Sequence, residues 1–207
     1  MCYDFCRRFF NNCSPRGLNR FYIQPNWIAD NVYGRQEIEM GVNGQGIDFS
    51  VTYRCDGVTI APSQSQILFT SINTEHATLE RLITCVNNFL QRATTPILNA
   101  YGFNCDYIDS DGSQFADVID HMTDNDGIIT CGYEIKASKI TRTLSKAGKI
   151  INLESVLDGN QLRFHFNEHH GESTSEMPNM TIQQIEDFLR ESRELVEAFG
   201  YEIEDEE

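Results

Sequence analysis

No stretch of this 207-residue chain approaches the roughly 20 consecutive apolar residues that a bilayer-spanning helix needs, which argues against a membrane protein. The first residues, Met1-Cys2-Tyr3-Asp4-Phe5-Cys6-Arg7-Arg8, lack the cationic lead and apolar core of a secretory signal. Basic residues are scarce, 16 Lys and Arg against 31 Asp and Glu, for a formal charge of −15. Phosphate neutralisation drives binding to duplex DNA, so a broad DNA-binding surface is not expected. Proteins with basic surfaces are the more natural partners. Cysteine is not scarce. Seven occur, at 2, 6, 13, 55, 85, 105 and 131, and an odd number cannot pair fully within one chain. Free cysteine packs as a small hydrophobe, which points to a reducing, intracellular compartment, cytoplasm or assembled particle.

Catalytic motifs are also missing. No serine-centred nucleophile elbow is present. Gly41-x-x-Gly44-x-Gly46 runs into strand-like sequence, whereas a phosphate loop must open a helix whose N–H groups meet the anion. Asp109-Ser-Asp111-Gly112 and Asp124-Asn-Asp126-Gly127 put the wrong residues at the first and last positions of a calcium loop. They read as turns. Cys2, Cys6 and Cys13 have no second knuckle with which to complete a zinc site. The one metal candidate is His165, Glu168 and His169. Imidazole and carboxylate suit zinc, but Phe166 stands where the zincin pattern requires Glu. No cofactor is implied.

What is present is aromatic and periodic. Residues 1–35 hold Phe5, Phe9, Phe10, Trp27 and five Arg against two acids, with no sustained period. We read this segment as an arm, wrapped on the body or docked on another subunit as interface anchors are. Residues 36–72 alternate as strands, with a turn at Asp56-Gly57. A helix follows over about 78–93, its stripe Leu79, Leu82, Ile83, Val86, Phe89 and Leu90, with Thr74 or Thr78 as cap. Ile97–Tyr101 reads as a further helical turn and Ile128–Ile135 as a strand. Leu157-Asp158-Gly159-Asn160 joins a hairpin, after which 167–180 reads as a polar loop. The last helix opens with Thr181 and Gln184 as a capping box and stops at Gly200.

Lys136, Lys139, Arg142, Lys146 and Lys149 lie in a stretch, 135–153, that contains no acid. Their spacing fits one face of a helix. As a strand, Lys136, Ser138, Ile140, Arg142 and Leu144 share a face instead. The run suits an anion, or an acidic surface on the protein itself or a neighbour.

These features imply an α+β protein, with a mainly antiparallel sheet and two long amphipathic helices on one face. Its organisation reads as an arm (1–35), a single domain (36–200) and an acidic tail (201–207), without internal repeat. The functional expectation is a non-enzymatic protein-binding or structural subunit, a possible homo-oligomer, contacting partners through the arm (Phe5, Phe9, Phe10, Trp27), the acidic C-terminus and the basic residues Lys136, Lys139, Arg142 and Lys146. The alternatives are a metal-dependent hydrolase built on His165, Glu168 and His169, and an acidic inhibitor that mimics nucleic acid.

Overall fold

The structure is a computed structural model, which describes residues 6–10, 24–45, 48–63, 66–93, 100–110, 130–132, 136–159, 161–171 and 179–203. Among these residues no helix is long and apolar enough to cross a membrane. The fold is α+β with antiparallel sheets, and the strands divide between two of them.

The first sheet contains β1 (Cys6–Phe10), β2 (Glu39–Gln45), β3 (Asp48–Cys55), β4 (Val58–Pro62) and β5 (Gln66–Ser71), in the order β1-β5-β4-β3-β2. The second contains β6 (Tyr101–Asp109), β7 (Ala137–Lys146), β8 (Lys149–Asp158) and β9 (Gln161–His170), in the order β6-β9-β8-β7. In each sheet the first strand of the set pairs antiparallel with the last strand of a following meander. A helix then leaves that last strand: α2 (His76–Arg92) after β5 and α3 (Ile182–Ala198) after β9. The described elements are therefore wired twice in a similar way, a repeat that the residues do not display. The two halves meet where β1 runs beside β6 and α2 touches α3.

The turns follow from local sequence. Asp56 and Gly57 both take positive φ (49° and 80°), as do Ala147 and Gly148 (50° and 84°). These are the two-residue hairpin loops whose twist matches that of the flanking strands. Pro25 opens the short helix α1 (Pro25–Ile28), which widens into a π turn over Ala29–Tyr33 and ends at Gly34 with φ 65°.

Helix α2 buries Leu79, Leu82, Ile83, Val86, Phe89 and Leu90 against β4, β5 and the π turn. Helix α3 buries Ile185, Phe188, Ser192 and Val196 against β6 and β9. Phe69, Phe103, Phe166 and Phe188 are essentially excluded from solvent, each such burial stabilising by about 1.5–3 kcal/mol. The capping box of α3 forms as expected: Thr181 Oγ1 accepts from Gln184 N, and Thr181 N donates to Gln184 Oε1 at 2.8 Å.

Several expectations are corrected. The N-cap of α2 is Glu75, with no side-chain cap bond, in place of Thr74 or Thr78. Tyr101 begins β6, not the end of a helical turn. Thr130 is helical and Cys131 and Gly132 form a turn, within the stretch expected to be a strand. The expected loop at 167 is strand to His170, because alternation along β9 continues to bury Glu168 beneath α3. Within the segment expected as a tail, Tyr201 is buried, edge-on to Phe164, and Arg193 donates to the Ile203 carbonyl at 3.0 Å.

Candidate functional site

Strand alternation decides the fate of the proposed metal ligands. His165 and His169 stand on the face of β9 away from α3. Glu168 stands on the other, with Phe164 and Phe166. The three do not converge, and among the described residues no group of three His, Cys, Asp or Glu is placed to hold a metal ion. Glu168, only 3% exposed, is instead part of a seam between sheet and helix. Its Oε1 lies 2.8 Å from His170 Nε2 and its Oε2 lies 3.9 Å from Lys149 Nζ. Neither contact has hydrogen-bond alignment, and the Lys149 ammonium is the cation that faces this buried carboxylate. Lys149 reaches on to Glu191 of α3 at 3.3 Å, and Tyr101 stacks on His170 with centroids 4.5 Å apart.

The opposite face of the second sheet carries a polar ladder. Thr143 Oγ1 donates to Asn152 Oδ1 (2.9 Å), Asn152 Nδ2 to Asn167 Oδ1 (3.5 Å), and Asn167 Nδ2 to Asn104 Oδ1 (2.8 Å). One rung away, His165 Nδ1 is 2.8 Å from Asp106 Oδ1. Lys139 Nζ is 2.8 Å from Glu154 Oε2. The Lys139 hydrogen bond holds the Glu154 carboxyl below the usual range. A carboxylate orienting an imidazole is half of an acid–base constellation. The contact of His165 described here is with that carboxylate. The ladder fixes register: residues 104, 167, 152 and 143 are direct cross-strand neighbours, and a one-residue slip would separate them all.

The basic run resolves as strand. Lys139 points to the ladder face and Arg142 to the α3 side, half-buried beside Ile140 and Leu144. Lys136 immediately precedes β7 and Lys146 ends it. A cavity of about 400 Å³ lies between the β7–β8 hairpin and α3, lined by Leu144, Lys146, Lys149, Ile151, Glu191 and Leu195 among others.

Backbone direction along β7 follows from its turn. In a two-residue hairpin loop the flanking pair, here Lys146 and Lys149, exchanges both hydrogen bonds, and bonded pairs then alternate. Even-numbered residues of β7 thus bond β8, consistent with Gly159 N donating to Lys136 O at 3.3 Å. Ala137, Lys139, Thr141, Thr143 and Ser145 direct their N–H and C=O groups away from the sheet. Lys139, Thr141 and Thr143 are exposed, and among the described residues no strand pairs with this edge. In the first half the corresponding strand is β3, whose edge is covered by β2. Among the described residues the second half has no counterpart of β2, and no described strand lies beside β7 on that side.

The aromatic arm is largely committed to the body. Phe9 and Phe10 lie in β1, opposite Ile67 and Gln66 of β5, and the Trp27 ring meets Phe89 edge-on at 6.1 Å. Phe5 lies outside the described residues. The sequence predicts strands over 36–72 but does not single out β2 as an edge strand, with Met40 and Val42 exposed at 55% and 59%. Nothing local in a sequence distinguishes an edge from a centre.

No protein-family model matches the chain, and no curated protein matches it.

Proposed function

We propose that this protein works by binding: it is a non-enzymatic subunit of a larger assembly that accepts an extended acidic segment as an added strand on β7. The observation that carries this reading is the β7 edge, which no described strand pairs. Five alternate residues, from Ala137 to Ser145, direct their N–H and C=O groups to the side on which the first half carries β2. Main-chain hydrogen bonds supply affinity in strand addition, and side chains supply selectivity. Lys136, Lys139, Arg142 and Lys146 make this edge basic, and β2, which fills the equivalent place on β3, brings Glu39 opposite Arg54. An acidic strand beside β7 repeats that pairing of charge. The reading moves the partner contact from the N-terminal arm, whose β1 and Trp27 are occupied within the chain, to β7.

Fluorescence anisotropy with two short labelled peptides tests it, one alternating Glu with Val and the other Lys with Val. The acidic peptide binds, binding weakens as salt rises through the range where the Debye length falls below about 10 Å, and Thr141→Pro abolishes it by removing an outward donor. Equal binding of both peptides, or undiminished binding to the Thr141→Pro variant, refutes the proposal.

A further inference from the structure

The described sheets end in four edge strands, β1 and β2 in the first and β6 and β7 in the second. β1 and β6 run beside each other, and the remaining two, β2 and β7, differ in charge and in polarity. The β7 edge is basic. The β2 edge is preceded by Glu37, begins with Glu39, and exposes Met40 and Val42. Natural edge strands are ordinarily protected by lysine, proline or a bulge. Lysines occur along β7, and β2 has none of these devices. An unprotected apolar edge and a basic edge on one chain are complementary in a way that neither is with itself.

The backbone of β2 has the direction this requires. Asp56 and Gly57 form a two-residue loop between Cys55 and Val58, so odd-numbered residues of β3 bond β4 and even-numbered ones bond β2. Arg54 and Thr52 therefore bond Glu39 and Gly41. Met40 and Val42 direct their N–H and C=O groups outward, away from β3.

We infer that the strand accepted by β7 is β2 of a second copy of this chain, so that copies join head to tail through their sheets. This rests on the reading of β7 as a strand acceptor and names its occupant. In a parallel junction each bonding residue of one strand lies opposite a non-bonding residue of the other. Placing Met40 beside Ile140 then puts Val42 beside Arg142 and Glu39 beside Lys139. The exposed methionine of one copy covers the half-buried isoleucine of the next. Glu39 completes a Glu39–Lys139–Glu154 cluster across the junction. A contact of two different edges is heterologous, and it propagates into a ring or a filament.

Static light scattering on the full-length protein tests the inference, using Val42→Pro to block one edge and Thr141→Pro to block the other. Wild-type mass rises with concentration and falls with added salt. Each variant alone is monomeric. An equimolar mixture of the two forms dimers and nothing larger, because each supplies the edge the other lacks. Where circular dichroism shows that a proline variant is unfolded, Val42→Lys replaces the first and Lys139→Glu the second, with the same expectation. A monomeric wild type at every concentration overturns the inference, as does self-association of a single variant or a monomeric mixture. If the acidic peptide still binds β7 while the wild type is monomeric, only the identity of the occupant falls.

Discussion

Ser192 is a polar residue inside the apolar stripe of α3, fully buried, and it earns that position through hydrogen bonds. Its Oγ is 2.8 Å from Tyr107 Oη, accepts from Cys105 Sγ at 3.3 Å, and donates to the Leu189 carbonyl at 2.9 Å. Ser192→Ala is therefore expected to destabilise by about 1–3 kcal/mol, read from urea unfolding; a variant as stable as wild type contradicts this account of the helix–sheet seam. Cys85 offers a second test. Burial pushes its thiol up to about 12 from an ordinary value of 9.0, with smaller contributions from Cys55 and Asp56. Burial also raises Tyr33 and Tyr201. The unfolded chain loses these protons first, so the contribution to stability is intact below about pH 9 and declines as pH rises towards 12. Folded protein at pH 8 should leave Cys85 unmodified by iodoacetamide while exposed Cys131 reacts, since only the thiolate attacks. Rapid labelling of both positions is the opposing result. At this scale the sequence identified which side chains are apolar. The polar residues that would be buried and satisfied, such as Ser192 and Glu168, depend on partners some 20 to 90 positions away and leave no local mark.

Among the elements, α3 was legible because independent local signals agree: the cap, the stripe and the glycine stop. Its ion pairs lie on the exposed face. Asp187–Arg190 and Arg193–Glu197 form at 2.6 and 3.3 Å, whereas Glu186 turns to His76 of α2 at 2.6 Å. Strand β6 was missed although Tyr101, Phe103, Cys105 and Tyr107 alternate with Gly102, Asn104 and Asp106. Polar residues buried on its second face resemble turn chemistry when read singly. β7 was ambiguous because Ile140 and Leu144 satisfy periods of both 2 and 3.6, and the positive φ of Ala147 and Gly148 settles it as a hairpin. That turn gives a prediction. Ala147 holds φ 50° without the local hydrogen bonds that ease Asn into this region, so Ala147→Asn should raise stability by about 1 kcal/mol. Unchanged or lower thermal stability counts against the turn assignment. The two helix starts give another. Thr181→Ala should cost about 1 kcal/mol, while Glu75→Ser at the uncapped start of α2 should gain about 0.5–1 kcal/mol. Urea unfolding with the opposite signs contradicts the capping described here.

For the whole molecule, the repeated wiring was invisible because the halves share topology and not residues. The core of α2 is Leu, Ile, Val and Phe with a cysteine, while α3 places a serine at its centre and carries Glu186, Asp187, Glu191, Glu194 and Glu197 outside. Only the strand order reveals that β3 and β7 are equivalent and that, among the described strands, β7 has a neighbour on one side alone. The central claim is that the β7 edge is open and receives a strand. Residue-resolved amide hydrogen exchange tests it most directly, on dilute protein and again with the concentration raised or the acidic peptide added. In dilute protein the amides of Lys139, Thr141 and Thr143 exchange fast while those of Ile140, Arg142 and Leu144 are protected. On assembly or peptide addition the first set slows by about tenfold or more and the second changes little. Protection of Lys139, Thr141 and Thr143 that is already complete in dilute protein, or that responds to neither condition, contradicts the account.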